Sequence, residues 1–226
     1  MPRVLTRNIS IAIGENTFQG VLHIPRAARG VILLAGASGS DPKSPQSSYL
    51  AERLAVSGLA ALLLDLRTTD ETALPEADAP RSFDIALRAD RLLTATDWLA
   101  GNPALAELAI GYFGANSGAT VVLAAAARLP NISAVVSCSG RPDLVGEALS
   151  EIRAPTLLIV AARDSETLAF AESALMQMNC EAELKSVPDA TSRFPEPGTW
   201  EQAVSVAVEW FEGHLSSAPK RPQPSA

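Results

Sequence analysis

Cysteine and histidine are scarce in this chain of 226 residues, which has two of each: Cys138 and Cys180, His23 and His214. So few cysteines exclude a disulfide framework, and no cluster has the spacing of a zinc site, so neither a structural metal nor a cofactor is expected. No apolar run is long enough to span a membrane. The start, Met1-Pro2-Arg3-Val4, lacks the apolar stretch and small-residue cleavage site of a signal peptide, and a cytoplasmic protein is expected. Basic residues are in deficit, 18 Lys and Arg against 25 Asp and Glu, for a formal net charge of −7. That balance argues against nucleic acid and membrane surfaces as partners, because both are bound through basic patches. A small-molecule ligand is the expected partner, and self-association is left open.

What is present is a chain that is 47% hydrophobic, enough to bury the core of one domain. Two β-rich segments, Asn8 to Ile13 and Thr17 to His23, flank Gly14-Glu15-Asn16 and read as an antiparallel hairpin. From Val31 onward, short apolar runs alternate with longer helical stretches. The runs are Val31 to Leu34, Ala60 to Leu64, Ala109 to Phe113, Ala134 to Val136 and Thr156 to Val160. Continuous apolarity suits strands buried on both faces, and intervening helices suit parallel crossovers, which together make a doubly wound α/β sheet. Helical periodicity covers Ser47 to Ser57, Ser82 to Ala100, Ser117 to Arg128 and Ser165 to Asn179. A last strand, Glu183 to Val187, precedes a helix marked by Ala203, Val204, Ala207, Val208 and Phe211. Residues 1–215 are read as one domain and the Pro-containing tail, residues 216–226, as disordered. Thr68 to Pro80, with Asp70, Glu71, Glu76 and Asp78, reads as a mobile surface loop.

The most informative segment runs from Ile110 through Gly114-Ala115-Asn116-Ser117-Gly118 to Ala119, where a strand ends and a helix begins at once. It resembles the nucleophile elbow of α/β-hydrolases, G-x-S-x-G, or the form with Cys found in the dienelactone hydrolase family. Asn116 stands at the central position. Asparagine tolerates positive φ, so the turn can be kept while no nucleophilic oxygen or sulfur is supplied.

The resemblance implies a carboxylate after a later strand and a histidine after the last one. Thr156 to Val160 is followed by Ala161-Ala162-Arg163-Asp164, so Asp164 matches the acid, although an isolated Asp before Ser165 reads equally as a helix cap. Ala190-Thr191-Ser192-Arg193-Phe194 resembles the family's loop with Ser192 where its histidine belongs. His23 and His214 lie outside the loops at the C-terminal ends of the parallel strands, where ligands bind in open α/β sheets. The loop Gly36-Ala37-Ser38-Gly39-Ser40 resembles the family's first catalytic loop with Gly36 in place of histidine. The resemblance implies that backbone N–H groups of Ser38 and Ser117 form an oxyanion pair. Tyr49 to Asp65, Arg81 to Trp98 and Ser139 to Leu144 extend the similarity, which implies an α/β-hydrolase fold without a cap domain.

The reading that follows is a dienelactone hydrolase-like pseudoenzyme whose pocket binds a small molecule or a protein partner. A triad with neither nucleophile nor base has no route to an acyl-enzyme. An alternative is non-hydrolytic chemistry in the same pocket, as an isomerase, cyclase or lyase with Asp164 as general base. A residual ester or lactone hydrolase is the third reading. Ser117 and Cys138 are the remaining nucleophile types near the elbow; the first reads as a helix-start residue and the second as a small buried hydrophobe.

Overall fold

The computed structural model describes residues 4–36, 44–68, 71 and 84–215. Strands β1 (Val4–Ile13) and β2 (Asn16–Pro25) form the antiparallel hairpin, with Ile13 paired to Asn16. The turn is therefore two residues, Gly14-Glu15, with Gly14 at φ 61; Asn16 belongs to the strand and not to the turn. Then come β3 (Gly30–Gly36), α1 (Pro45–Val56), β4 (Leu59–Asp65), α2 (Ile85–Gly101), β5 (Ala109–Ala115) and α3 (Ser117–Arg128). β6 (Ala134–Cys138), a 3₁₀ segment (Pro142–Glu151), β7 (Thr156–Ala161), α4 (Ser165–Leu175), β8 (Ala182–Val187) and α5 (Thr199–Leu215) complete the order.

The eight strands make one sheet in the order β1-β2-β4-β3-β5-β6-β7-β8. β2 runs antiparallel to β4 and every pairing from β4 to β8 is parallel. This is an α/β-hydrolase fold. The apolar runs are continuous because both faces of the central strands are covered. In β3, Val31, Leu33 and Ala35 pack into the core shared with α2, α3 and α4, while Ile32 and Leu34 pack into the core shared with α1 and α5. The two edge strands, β1 and β8, are largely exposed by contrast.

Three local expectations are corrected. The helix expected to reach Asn179 ends at Leu175, because Met178 turns back into the core and Asn179 Nδ2 donates to the Ser150 carbonyl at 3.2 Å. The strand expected over Ala134 to Val136 runs two residues further, to Cys138. Glu71, read as part of a mobile loop, is held in place. Its carboxylate accepts from the buried Arg91 guanidinium at 2.7 and 3.2 Å and from the Thr68 N–H at 2.8 Å. A buried guanidinium requires such a partner, and Arg91 also donates to the Leu66 carbonyl at 2.7 Å. The rest of that loop, residues 69–70 and 72–80, and the tail 216–226 lie outside the described residues.

Candidate functional site

The turn from β5 into α3 takes a single residue, Asn116, at φ 53 and ψ −120. For a non-glycine residue such a conformation costs about 1–3 kcal/mol and persists only where the surroundings impose it. The surroundings do so from three sides. The Asn116 N–H donates to the Cys138 carbonyl of the neighbouring β6 at 2.9 Å, and its carbonyl accepts from the Ala119 N–H at 3.1 Å. Gly114 supplies the third constraint, since a Cβ there would meet the Gly118 carbonyl oxygen at 2.2 Å. The crossing of strand and helix is that close, and it explains the glycine spacing of the motif. The Asn116 side chain makes no capping hydrogen bond, and the residue is half-buried.

Asp164 follows β7 and is the N-cap of α4, accepting from the Thr167 N–H at 3.1 Å and the Thr167 hydroxyl at 2.9 Å. Its Oδ2 also accepts from the Ser192 hydroxyl in a short hydrogen bond. The Ser192 bond foremost, with the two Thr167 bonds, holds the carboxyl below the ordinary aspartate range. Asp164 is thus both a helix cap and the partner of the loop after β8. No hydrogen bond joins Asn116 to Asp164 or Ser192 among the described residues. β6 lies between the strands that carry Asn116 and Asp164, a separation of about 10 Å at the usual strand spacing.

The loop that presents Ser192 is pinned at several points. Thr191 donates from its N–H and hydroxyl to the Glu196 carboxylate at 3.0 and 2.6 Å, which lowers the Glu196 pKa. Arg193 and Phe194 both take positive φ, 70 and 54. Gln46, in the first turn of α1, donates to the Arg193 carbonyl at 3.2 Å and accepts from the Trp200 indole at 3.2 Å. Trp200 packs edge-on against Phe113 of β5, with ring centroids 6.4 Å apart, and lies 6.0 Å from the Phe194 ring. Sequence reasoning missed Gln46, Trp200 and Thr167. Only Thr167 had a local signal, three residues after a capping aspartate.

The remaining candidates are placed as follows. Ser38, expected in the oxyanion pair, lies outside the described residues. Ser117 is the first residue of α3. Cys138 is 1% exposed, and burial pushes its thiol up. His23, in β2, contacts Thr6 at 3.2 Å, and burial lowers its pKa. His214 stacks on Trp210 with ring centroids 4.0 Å apart and reaches Glu181 at 3.3 Å, just before the N-terminal end of β8. Neither histidine adjoins Asn116 or Asp164 in the sheet. Among the described residues no group of three or more His, Cys, Asp or Glu is placed to hold a metal ion, and no helix is long and apolar enough to cross a membrane.

An open, mostly parallel sheet with a one-residue elbow after β5, a carboxylate after β7 and a pinned loop after β8 defines an α/β-hydrolase-fold protein. The family model described as the dienelactone hydrolase family matches residues 18–213, and the chain belongs to that family. A dienelactone hydrolase crystal structure from Anabaena variabilis is 43% identical, covering 94% of this chain and 99% of that one, with a TM-score of 0.88. A Klebsiella pneumoniae protein with a provisional dienelactone hydrolase name shares the fold at 18% identity, with 92% and 98% of the chains covered and a TM-score of 0.76. A Mycobacterium tuberculosis protein with a provisional phosphoribosyl transferase name is 42% identical over 215 residues, 95% of this chain and 48% of its own length. The chain therefore spans about half the length of the curated relatives it matches.

Proposed function

We propose that this domain is a non-hydrolytic member of its family, a pseudoenzyme that uses the pocket at the C-terminal ends of the strands to bind a small molecule. In this reading Asn116, Asp164 and Ser192 occupy the positions of nucleophile, acid and base. The observation that carries it is the Ser192 to Asp164 hydrogen bond. A working triad spends its carboxylate on orienting an imidazole and stabilising the cation that forms there. Here the carboxylate is occupied by two hydroxyls and a backbone N–H, and its depressed pKa makes it a weak proton acceptor for substrate chemistry. The same depression speaks against an isomerase or lyase with Asp164 as general base.

A side-chain amide at the apex offers a donor and an acceptor together, which suits a ligand bearing a carbonyl, amide or hydroxyl group. The transferase name of the mycobacterial relatives belongs to proteins about twice as long, and we carry no transferase activity over to this domain. The test has two arms on the purified protein. Activated esters such as p-nitrophenyl acetate should show no turnover above background, and a thermal-shift screen of lactones, amides and carboxylic acids should yield a stabilising ligand. Burst hydrolysis of the ester that disappears in Ser117→Ala would overturn the proposal.

A further inference from the structure

The elbow holds the backbone of Asn116 in a conformation that brings the following nitrogen to the side of its Cβ. Substituents on a tetrahedral Cα are spaced by about 120° around the Cα–C bond. A ψ of −120 therefore turns the Ser117 nitrogen until it eclipses the Asn116 Cβ. In that arrangement the nitrogen, the carbonyl carbon, Cα and Cβ lie close to one plane, as four of the five atoms of a succinimide ring do. In regular helix or strand the same atoms are rotated apart by about 80–100°.

Neighbouring residues point to the same position. Of the other asparagines, Asn8, Asn16 and Asn131 precede the β-branched Ile9, Thr17 and Ile132, and Asn102 precedes Pro103, which has no N–H. Asn179 donates its amide to the Ser150 carbonyl at 3.2 Å. Asn116 is followed by the small Ser117, makes no side-chain capping bond and is half-buried, within reach of water. Ser117 opens α3, and the positive end of that helix favours the negative charge that develops during attack.

We propose that Asn116 is a self-modifying position that deamidates through a succinimide formed with Ser117. The Ser117 nitrogen gives its proton to a solvent base and attacks Cγ; the N–Cγ bond forms, the Cγ–Nδ2 bond breaks, and ammonia leaves with a proton from solvent. Water then opens the imide at either carbonyl, which leaves an aspartyl or an isoaspartyl residue. The product replaces a neutral donor and acceptor at the apex with an anion, and so changes which ligands the pocket accepts. This inference rests on the turn itself and is independent of the non-hydrolytic reading.

The test is to hold the full chain at mildly alkaline pH, folded in buffer and unfolded in guanidinium, and to follow every asparagine by peptide mapping, reading the gain of about 1 Da. Asn116 should convert at least roughly tenfold faster in the folded chain, since the fold supplies the proximity, while other asparagines are slowed by folding. Asn116→Gln, whose ring would need an extra carbon, should abolish the gain in that peptide. Conversion at Asn116 that is no faster folded than unfolded overturns the proposal, as does another asparagine outpacing it in the folded state.

Discussion

The Ser192 hydroxyl reaches back 28 residues to the Asp164 carboxylate and ties the loop after β8 to the N-cap of α4. This bond favours the ionised acid and is the largest influence holding the Asp164 pKa below its ordinary value. A carboxylate whose folded pKa is depressed adds stability that is complete above its unfolded pKa, about 3.9, and is lost as pH falls through the folded value. Ser192→Ala should therefore raise the Asp164 pKa toward the ordinary range, as read by NMR titration of its carboxyl carbon. The stability difference between wild type and variant should be present at neutral pH and vanish in strong acid. An unchanged Asp164 titration in the variant would contradict the assignment.

Asp164 also caps α4, so its removal should exceed the loss of one loop contact. Asp164→Ala deletes the acceptor for the Thr167 N–H, the Thr167 hydroxyl and Ser192. A lost cap alone costs about 1 kcal/mol, and the orphaned partners add to it. Chemical denaturation should place Asp164→Ala clearly below Ser192→Ala in stability.

Two substitutions at the elbow should act in opposite directions. Gly114→Ala puts a methyl 2.2 Å from the Gly118 carbonyl oxygen, which is backbone and cannot yield cheaply; overpacking of this kind costs about 3 kcal/mol or more. Asn116→Gly relieves a positive φ of 53 worth about 1–3 kcal/mol and forfeits about 0.5–1 kcal/mol through the freer unfolded chain. It should be neutral to stabilising by up to about 2.5 kcal/mol in denaturant titration. A strongly destabilised Asn116→Gly would mean that the side chain is held by contacts worth more than the strain.

Much of this was legible in the sequence because periodicity and turn chemistry are local. The doubly buried strands β3, β4 and β7 announce themselves as apolar runs, and Gly114 and Gly118 frame Asn116 as the elbow. The 3₁₀ segment Pro142–Glu151 was not foreseen, since Pro142 and Gly146, at φ 60, break the helical period on which such readings depend. Glu71 was misread because a carboxylate in a polar stretch gives no sign that Arg91, 20 residues on, will bury its guanidinium against it. Gln46 was invisible for the same reason: its partners Arg193 and Trp200 lie 147 and 154 residues away.

The thiols should differ in reactivity by burial. Cys138 is fully enclosed and its thiol is pushed up by desolvation, whereas Cys180 is half-buried and raised for the same reason, against a weak bond to Thr156 at 3.9 Å. Iodoacetamide at neutral pH should label Cys180 before Cys138, and both should react stoichiometrically in guanidinium. Prompt labelling of Cys138 in the native protein would revive it as a nucleophile.

The proposed non-hydrolytic reading predicts that hydrolysis can be built in by changing two positions. Triad members act as a unit, so either single change should gain little. Asn116→Ser places a hydroxyl at the apex with no base, and Ser192→His supplies an imidazole with nothing to deprotonate. Combined, the imidazole should take over the Asp164 carboxylate that the Ser192 hydroxyl now holds, which would fix its tautomer and leave its far nitrogen to serve as base for the new hydroxyl. The double variant should hydrolyse p-nitrophenyl acetate roughly tenfold or more above either single variant, and Asp164→Asn on that background should remove most of the gain by favouring the wrong tautomer. A folded double variant that stays at the level of the singles would place the divergence beyond the triad, and the segment between Gly36 and Ser44 would be the next to restore.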